Sequence, residues 1–149
     1  MNILKKDSEQ QEAEDGVRAN IAQIAEAINE QNLNKYGSLV TTDFVNMNKD
    51  LQGGLTTTFS RQERLDVLKV YFENNPFITN AKMEATEVFA DGDRAFAHID
   101  GILKLTPKKG SELSGFTLFI DLYLCFHKAD ELGWLSERSM GIEKSRSDD

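Results

Sequence analysis

The chain has 149 residues, with 17 Lys+Arg against 25 Asp+Glu and a formal net charge of −8. That length suits one domain, since two would each be short of core, and a domain of this size buries roughly 70% of its unfolded surface. The acidic balance argues against a nucleic-acid backbone or an anionic membrane surface as partner. No apolar run approaches the roughly 20 residues a membrane span needs. The start, Met1-Asn2-Ile3-Leu4-Lys5-Lys6-Asp7, has no apolar stretch of the kind a secretory signal carries. Cys125 is the single cysteine, so an internal disulfide and a cysteine metal cluster are both excluded. A reducing, cytoplasmic setting is the expectation.

Residues 1–14 are polar and charged without periodicity, which predicts a flexible arm, with Asp15 as N-cap of the first helix. Val17, Ile21, Ile24 and Ile28 then repeat at helical spacing to about Gln31. Tyr36, Leu39 and Val40 predict a second, shorter helix over 34–42. Phe44-Val45-Asn46-Met47 reads as a short strand, and 49–58, with Gly53-Gly54, as a loop. Ser60-Arg61-Gln62-Glu63 fits a capping box opening a third helix, which Asn74-Asn75-Pro76 ends. From Ile78 the period changes to two. Strands are predicted over 83–90, 95–105, 116–127 and 134–142, with a tight turn at Asp91-Gly92-Asp93. Residues 144–149 read as a flexible tail. The domain proper is therefore 15–143: an α+β fold, helices packed on one face of a mostly antiparallel sheet.

The longest strand has one wholly apolar row, Phe116, Leu118, Ile120, Leu122, Leu124 and Phe126, and one mixed row, Thr117, Phe119, Asp121, Tyr123, Cys125 and His127. A sheet with one wet face alternates more cleanly. Three helices cover one face, so the other, bearing Phe119 and Tyr123, is expected to meet a second copy in a homodimer.

The order of elements, the Asp43-Phe44 entry to the short strand, the Asp91-Gly92-Asp93-Arg94-Ala95 turn and the closing Gly133-Trp134-Leu135 hairpin resemble the nuclear transport factor two-like superfamily. Within it the chain is most similar to SnoaL-like proteins and ketosteroid isomerases, over about residues 16–143. The resemblance implies a cone: a strongly curved sheet wrapped around three helices, with an apolar cavity in its mouth. It implies a small apolar ligand and chemistry without a cofactor, as in an isomerase, cyclase or dehydratase, or else a noncatalytic binding or dimerisation module. Fold alone does not choose between them.

His98-Ile99-Asp100 puts two ionisable side chains on one strand face, an arrangement that can serve as base and orienter in a dry cavity. The limonene epoxide hydrolases of the superfamily look similar here, with Tyr-x-Asn on the short strand and Arg-x-Asp on this one. The chain has Phe44-Val45-Asn46 and His98-Ile99-Asp100, and Ser139-Met140 where a further Asp should fall. The missing tyrosine, arginine and third carboxylate argue against epoxide hydrolysis. His98 and Asp100 are the catalytic candidates, with Asn46 in support. Asp121 lies mid-strand among apolar neighbours, where desolvation disfavours its charge. In ketosteroid isomerases a neutral Asp on a comparable strand donates to an oxyanion. Asp121 is placed either in the cavity or, if the apolar row lines the cone, at the partner interface. The isomerases' first-helix tyrosine has no counterpart, and the nearest is Tyr36. Tyr71, Phe72, Phe96, Ile102 and Leu122 complete the candidate ligand contacts. No metal-ligand spacing, phosphate loop or nucleophile elbow is present, so neither a metal nor a cofactor is expected.

Overall fold

The computed structural model describes residues 2–50, 54 and 56–149, with side chains from Ser8 onward. The elements in order are α1 (Asn2–Asn29), α2 (Leu33–Ser38), β1 (Val40–Lys49), β2 (Thr56–Ser60), α3 (Arg61–Asn74), β3 (Phe77–Asp91), β4 (Arg94–Pro107), β5 (Phe116–Ala129) and β6 (Gly133–Asp148). One six-stranded sheet runs β2-β1-β6-β5-β4-β3. Every neighbouring pair is antiparallel except β1 with β6. The fold is α+β, with a mostly antiparallel, curved and unclosed sheet.

The expected apolar stripe of α1 is the buried one: Val17, Ile21 and Ile24 face inward. The helix itself starts earlier than the predicted N-cap at Asp15. It runs through the expected arm from Asn2, and Ala13 packs beside Val17 in the core. Polar side chains hide that part of the helix from a periodicity reading; among its described side chains, Ala13 is the one that packs into the core. Asn20 Nδ2 donates to the carbonyls of Leu39 and Trp134 at 3.0 and 2.9 Å. Asn29 exchanges two hydrogen bonds with the backbone of Ala81, so α1 is clipped to the sheet at two levels. The capping box at Ser60 and Glu63 is present on α3. Asn75 caps its end and turns the chain into β3 by accepting from the Phe77 N–H.

Three strand readings change. The short strand is ten residues long and pairs with a strand, β2, that falls in the expected loop 49–58. Residues 51–53 and 55 of that loop lie outside the described residues. The expected tail 144–149 continues β6, pairing Phe116 with Asp148. Cross-strand backbone bonds, which composition does not reveal, hold it there.

The sheet curves through bulges that leave Thr86 on β3 and Glu137 and Lys144 on β6 without opposite numbers. Its concave face carries two packed clusters. One joins α1 to β4, β5 and β6 through Ile21, Ile99, Leu124, Phe126 and Trp134. The other joins α1, α2 and α3 to β1 through Tyr36, Phe44, Leu68 and Phe72.

Candidate functional site: the cone cavity

Beyond the second cluster the helices and sheet diverge and leave a cavity of about 370 Å³. Its sheet wall is the apolar row of β5, Leu118, Ile120 and Leu122, with Leu103 and Leu105 of β4 beside it. Met83 of β3 extends that wall, and Val67 and Leu68 of α3 close the opposite side. Gly101 and Gly141 also face inward. A methyl group at either would stand 3.2 Å from Leu122, so glycine keeps this part of the wall open.

Polar groups enter the wall in small sets. On β1, Asn46 and Asn48 share the inner face, and Asn48 Nδ2 donates to Asn46 Oδ1 at 2.6 Å. Asn46 Nδ2 donates in turn to Ser139 Oγ at 2.7 Å. Asn46 is buried behind this chain, while Asn48 lines the cavity. Tyr71 Oη and Thr79 Oγ1 share a hydrogen bond of 2.8 Å, and both line it. Arg64 lines it with Nε 3.5 Å from Tyr36 Oη. Lys49, Asp50, Thr57 and Glu143 complete the polar wall.

The candidates read from the sequence divide between the two faces. Tyr71 and Leu122 line the cavity. Asn46, Tyr36 and Phe72 stand one layer behind it, Tyr36 and Phe72 in the packed core. Asp100, His98, Phe96, Ile102 and Asp121 are on the convex face, outside the cone. Register decides this. Asp100 lies opposite Asp121, and Ile99 opposite Leu122, so the inward residues of the His98-Ile99-Asp100-Gly101 stretch are Ile99 and Gly101. The expected polar focus of Asp100, His98 and Asn46 is therefore not assembled: Asn46 and Ser139 meet inside, and the other two point away.

On the convex face those residues form a cluster of their own. His98 Nε2 lies 2.9 Å from Asp121 Oδ1, and its ring stacks on Tyr123 at 4.8 Å between centroids. Thr86, the bulged residue of β3, donates through its hydroxyl to the His98 carbonyl at 3.1 Å, and its Oγ1 also lies 3.1 Å from His98 Nδ1. Lys144, the bulged residue of β6, sits 3.4 Å from Asp100 and 3.3 Å from Asp121. The His98 hydrogen bond, then Lys144, holds the Asp121 carboxyl below the usual carboxylate range despite partial desolvation. Asp121 thus stays ionised instead of neutral. Donor atoms of His98, Asp100 and Asp121 lie within 4.8 Å of one another, a spacing a cation could span, and the Lys144 ammonium already supplies positive charge there.

Asn48, Arg64, Thr79 and Glu143 were not singled out by the sequence reading. Two carried a signal: Asn48 is two residues from Asn46, on the same strand face, and Arg64 precedes Leu68 and Tyr71 at helical spacing. Glu143 needed the register of β6.

Many solved structures share this fold. A conserved protein from Planctomyces limnophilus superposes with a TM-score of 0.77 at 19% identity, covering 91% of this chain and 98% of its own. A ketosteroid isomerase-like protein from Erwinia carotovora atroseptica gives 0.67 at 19% identity, covering 86% and 93%. An NTF2-like protein with a cystatin-like fold from Novosphingobium aromaticivorans gives 0.72 at 15% identity, covering 96% and 89%. The chain has the nuclear transport factor two-like fold. No protein-family model matches the sequence, and no curated protein does. At these identities the likeness is one of fold, and the nuclear transport factor two-like cone is a scaffold whose use depends on the wall of each cavity. No helix among the described residues is long and apolar enough to cross a membrane.

Proposed function

We propose that this protein binds a small, largely apolar molecule in the mouth of its cone. The observation that carries the reading is the cavity of about 370 Å³, with an apolar wall and a few polar groups set into it. Small-molecule sites typically have about this size and make-up. Binding without chemistry is the favoured form, because the His–carboxylate pairs available for acid–base work lie on the convex face. An isomerase, cyclase or dehydratase working in this cavity would draw on Glu143, Asp50 and Tyr71 instead.

The test uses the uncharged fluorophore N-phenyl-1-naphthylamine. Saturable fluorescence enhancement is expected for the wild type. Ile120→Trp, which fills the cavity from its sheet wall, should weaken it at least about tenfold, the loss of roughly 1.4 kcal/mol of apolar contact. Leu118→Phe is the milder variant should the tryptophan disturb folding. Wild-type protein that gives no saturable signal, or filling variants that bind as well as wild type, would refute the reading.

A second reading concerns the partner. The convex face exposes Phe96, Ile102 and Met140 around half-buried Phe119 and Tyr123, which favours a homodimer formed through this face.

A further inference from the structure

We infer that the ligand of the cone cavity carries an anionic head group, a carboxylate or a group of like geometry, and that Arg64 receives it; the inference rests on the cavity reading above. Two cations line the cavity, Lys49 at an exposed position and Arg64 half-buried. Each of the other arginines donates to a carbonyl or a carboxylate oxygen. Arg18, Arg61 and Arg138 donate to backbone carbonyls, and Arg94 and Arg146 to carboxylates. Among the described residues, Arg64 has neither: its contact is Nε with the Tyr36 hydroxyl at 3.5 Å, and it enters no ion pair.

Arg64 is half-buried at the rim of an apolar wall that offers few acceptors, so its guanidinium is open to a ligand's oxygens. Tyr36 is buried and fixed in the core, so it holds one edge of the guanidinium. The Nη1 and Nη2 groups have no acceptor among the described residues, and paired N–H groups on a planar fork fit the two oxygens of a carboxylate. Asp50 and Glu143, carboxylates of the same wall, have interactions of their own. The ligand class that satisfies both the apolar row and Arg64 is an apolar body bearing one carboxylate.

Displacement of N-phenyl-1-naphthylamine by octanoate, octanol and octylamine tests this. These compounds share a chain length and differ in head group. In the wild type, octanoate should displace the probe at a concentration about 10–100-fold lower than octanol, the range for hydrogen bonds to a charged group. Arg64→Gln should abolish that preference while leaving octanol unchanged, and Arg64→Lys should keep part of it, having the charge without the fork. Lys49→Gln should keep most of it. Equal displacement by octanoate and octanol in the wild type, a preference that survives Arg64→Gln, or tightest displacement by octylamine would overturn the inference and leave the cavity reading standing. Failure of the probe to bind at all would remove both.

Discussion

Asp121 is ionised because His98 and Lys144 both face it, and that makes its contribution to stability depend on pH with a definite sign. A carboxyl whose folded pKa is depressed stabilises the fold at pH values above its unfolded pKa, about 3.9, and that contribution disappears as pH falls through the folded value. Asp121→Asn should therefore lower the melting temperature at pH 7, and the gap to wild type should narrow below about pH 4. A gap that stays constant down to pH 3 would mean the loss comes from packing alone. The same placement outside the cone sets the expectation for Asp100. Asp100→Asn should leave binding of N-phenyl-1-naphthylamine unchanged, and a weakened signal would contradict its convex-face position. The His98–Asp100 spacing was legible in the sequence, as was their sharing of a face. Which face they share was not, because alternation fixes only relative orientation and the register of β4 on β5 supplies the rest.

At the scale of elements, α1 is held against the sheet by close approach as well as by its apolar stripe. A Cβ on Gly16 would collide with the Trp134 indole, which is buried against this helix. Gly16→Ala would usually favour a helix by about 1 kcal/mol. Here overpacking should outweigh that gain and destabilise by about 1–3 kcal/mol in chemical denaturation. A stabilised variant would show that the indole can move aside at little cost. Helix ends and turns were the most legible parts of the chain. The capping box at Ser60 and the turn at Gly92, with φ of 62°, depend on neighbouring residues alone. The polar first half of α1, the strand β2 and the C-terminal half of β6 were not legible, since each is held by distant partners in place of its own pattern.

For the whole molecule, the curved sheet presents one face to the helices, and the convex face, with Phe96, Ile102 and Met140 exposed on it, is the one proposed above to meet a second copy. The bulged residues Thr86 and Lys144 point their side chains into the convex cluster, beside the stacked rings of His98 and Tyr123. A dimer formed there would seat Phe119 and Tyr123 against their equivalents and enclose the charged cluster at its centre. Phe119→Glu adds a charge to each subunit at this seam, so it should sediment as a monomer where the wild type sediments as a dimer at micromolar concentration. A monomeric wild type would remove the homodimer proposal. It would leave the cavity untouched, because the two sites occupy opposite faces of the same strands.

By itself the sequence determined the class of fold, the helical stripe of α1, the two rows of β5 and the absence of an internal disulfide, all of which follow from local spacing and composition. The tertiary structure decided which row became the wall of a cavity. It carried Asp100 and Asp121 to the same outer surface and left Asn48, Arg64 and Glu143 at the cavity instead. The physical reason is that a strand's two-residue period defines two faces without naming either as interior. That choice belongs to strand pairing and bulges, which depend on residues far apart in the chain.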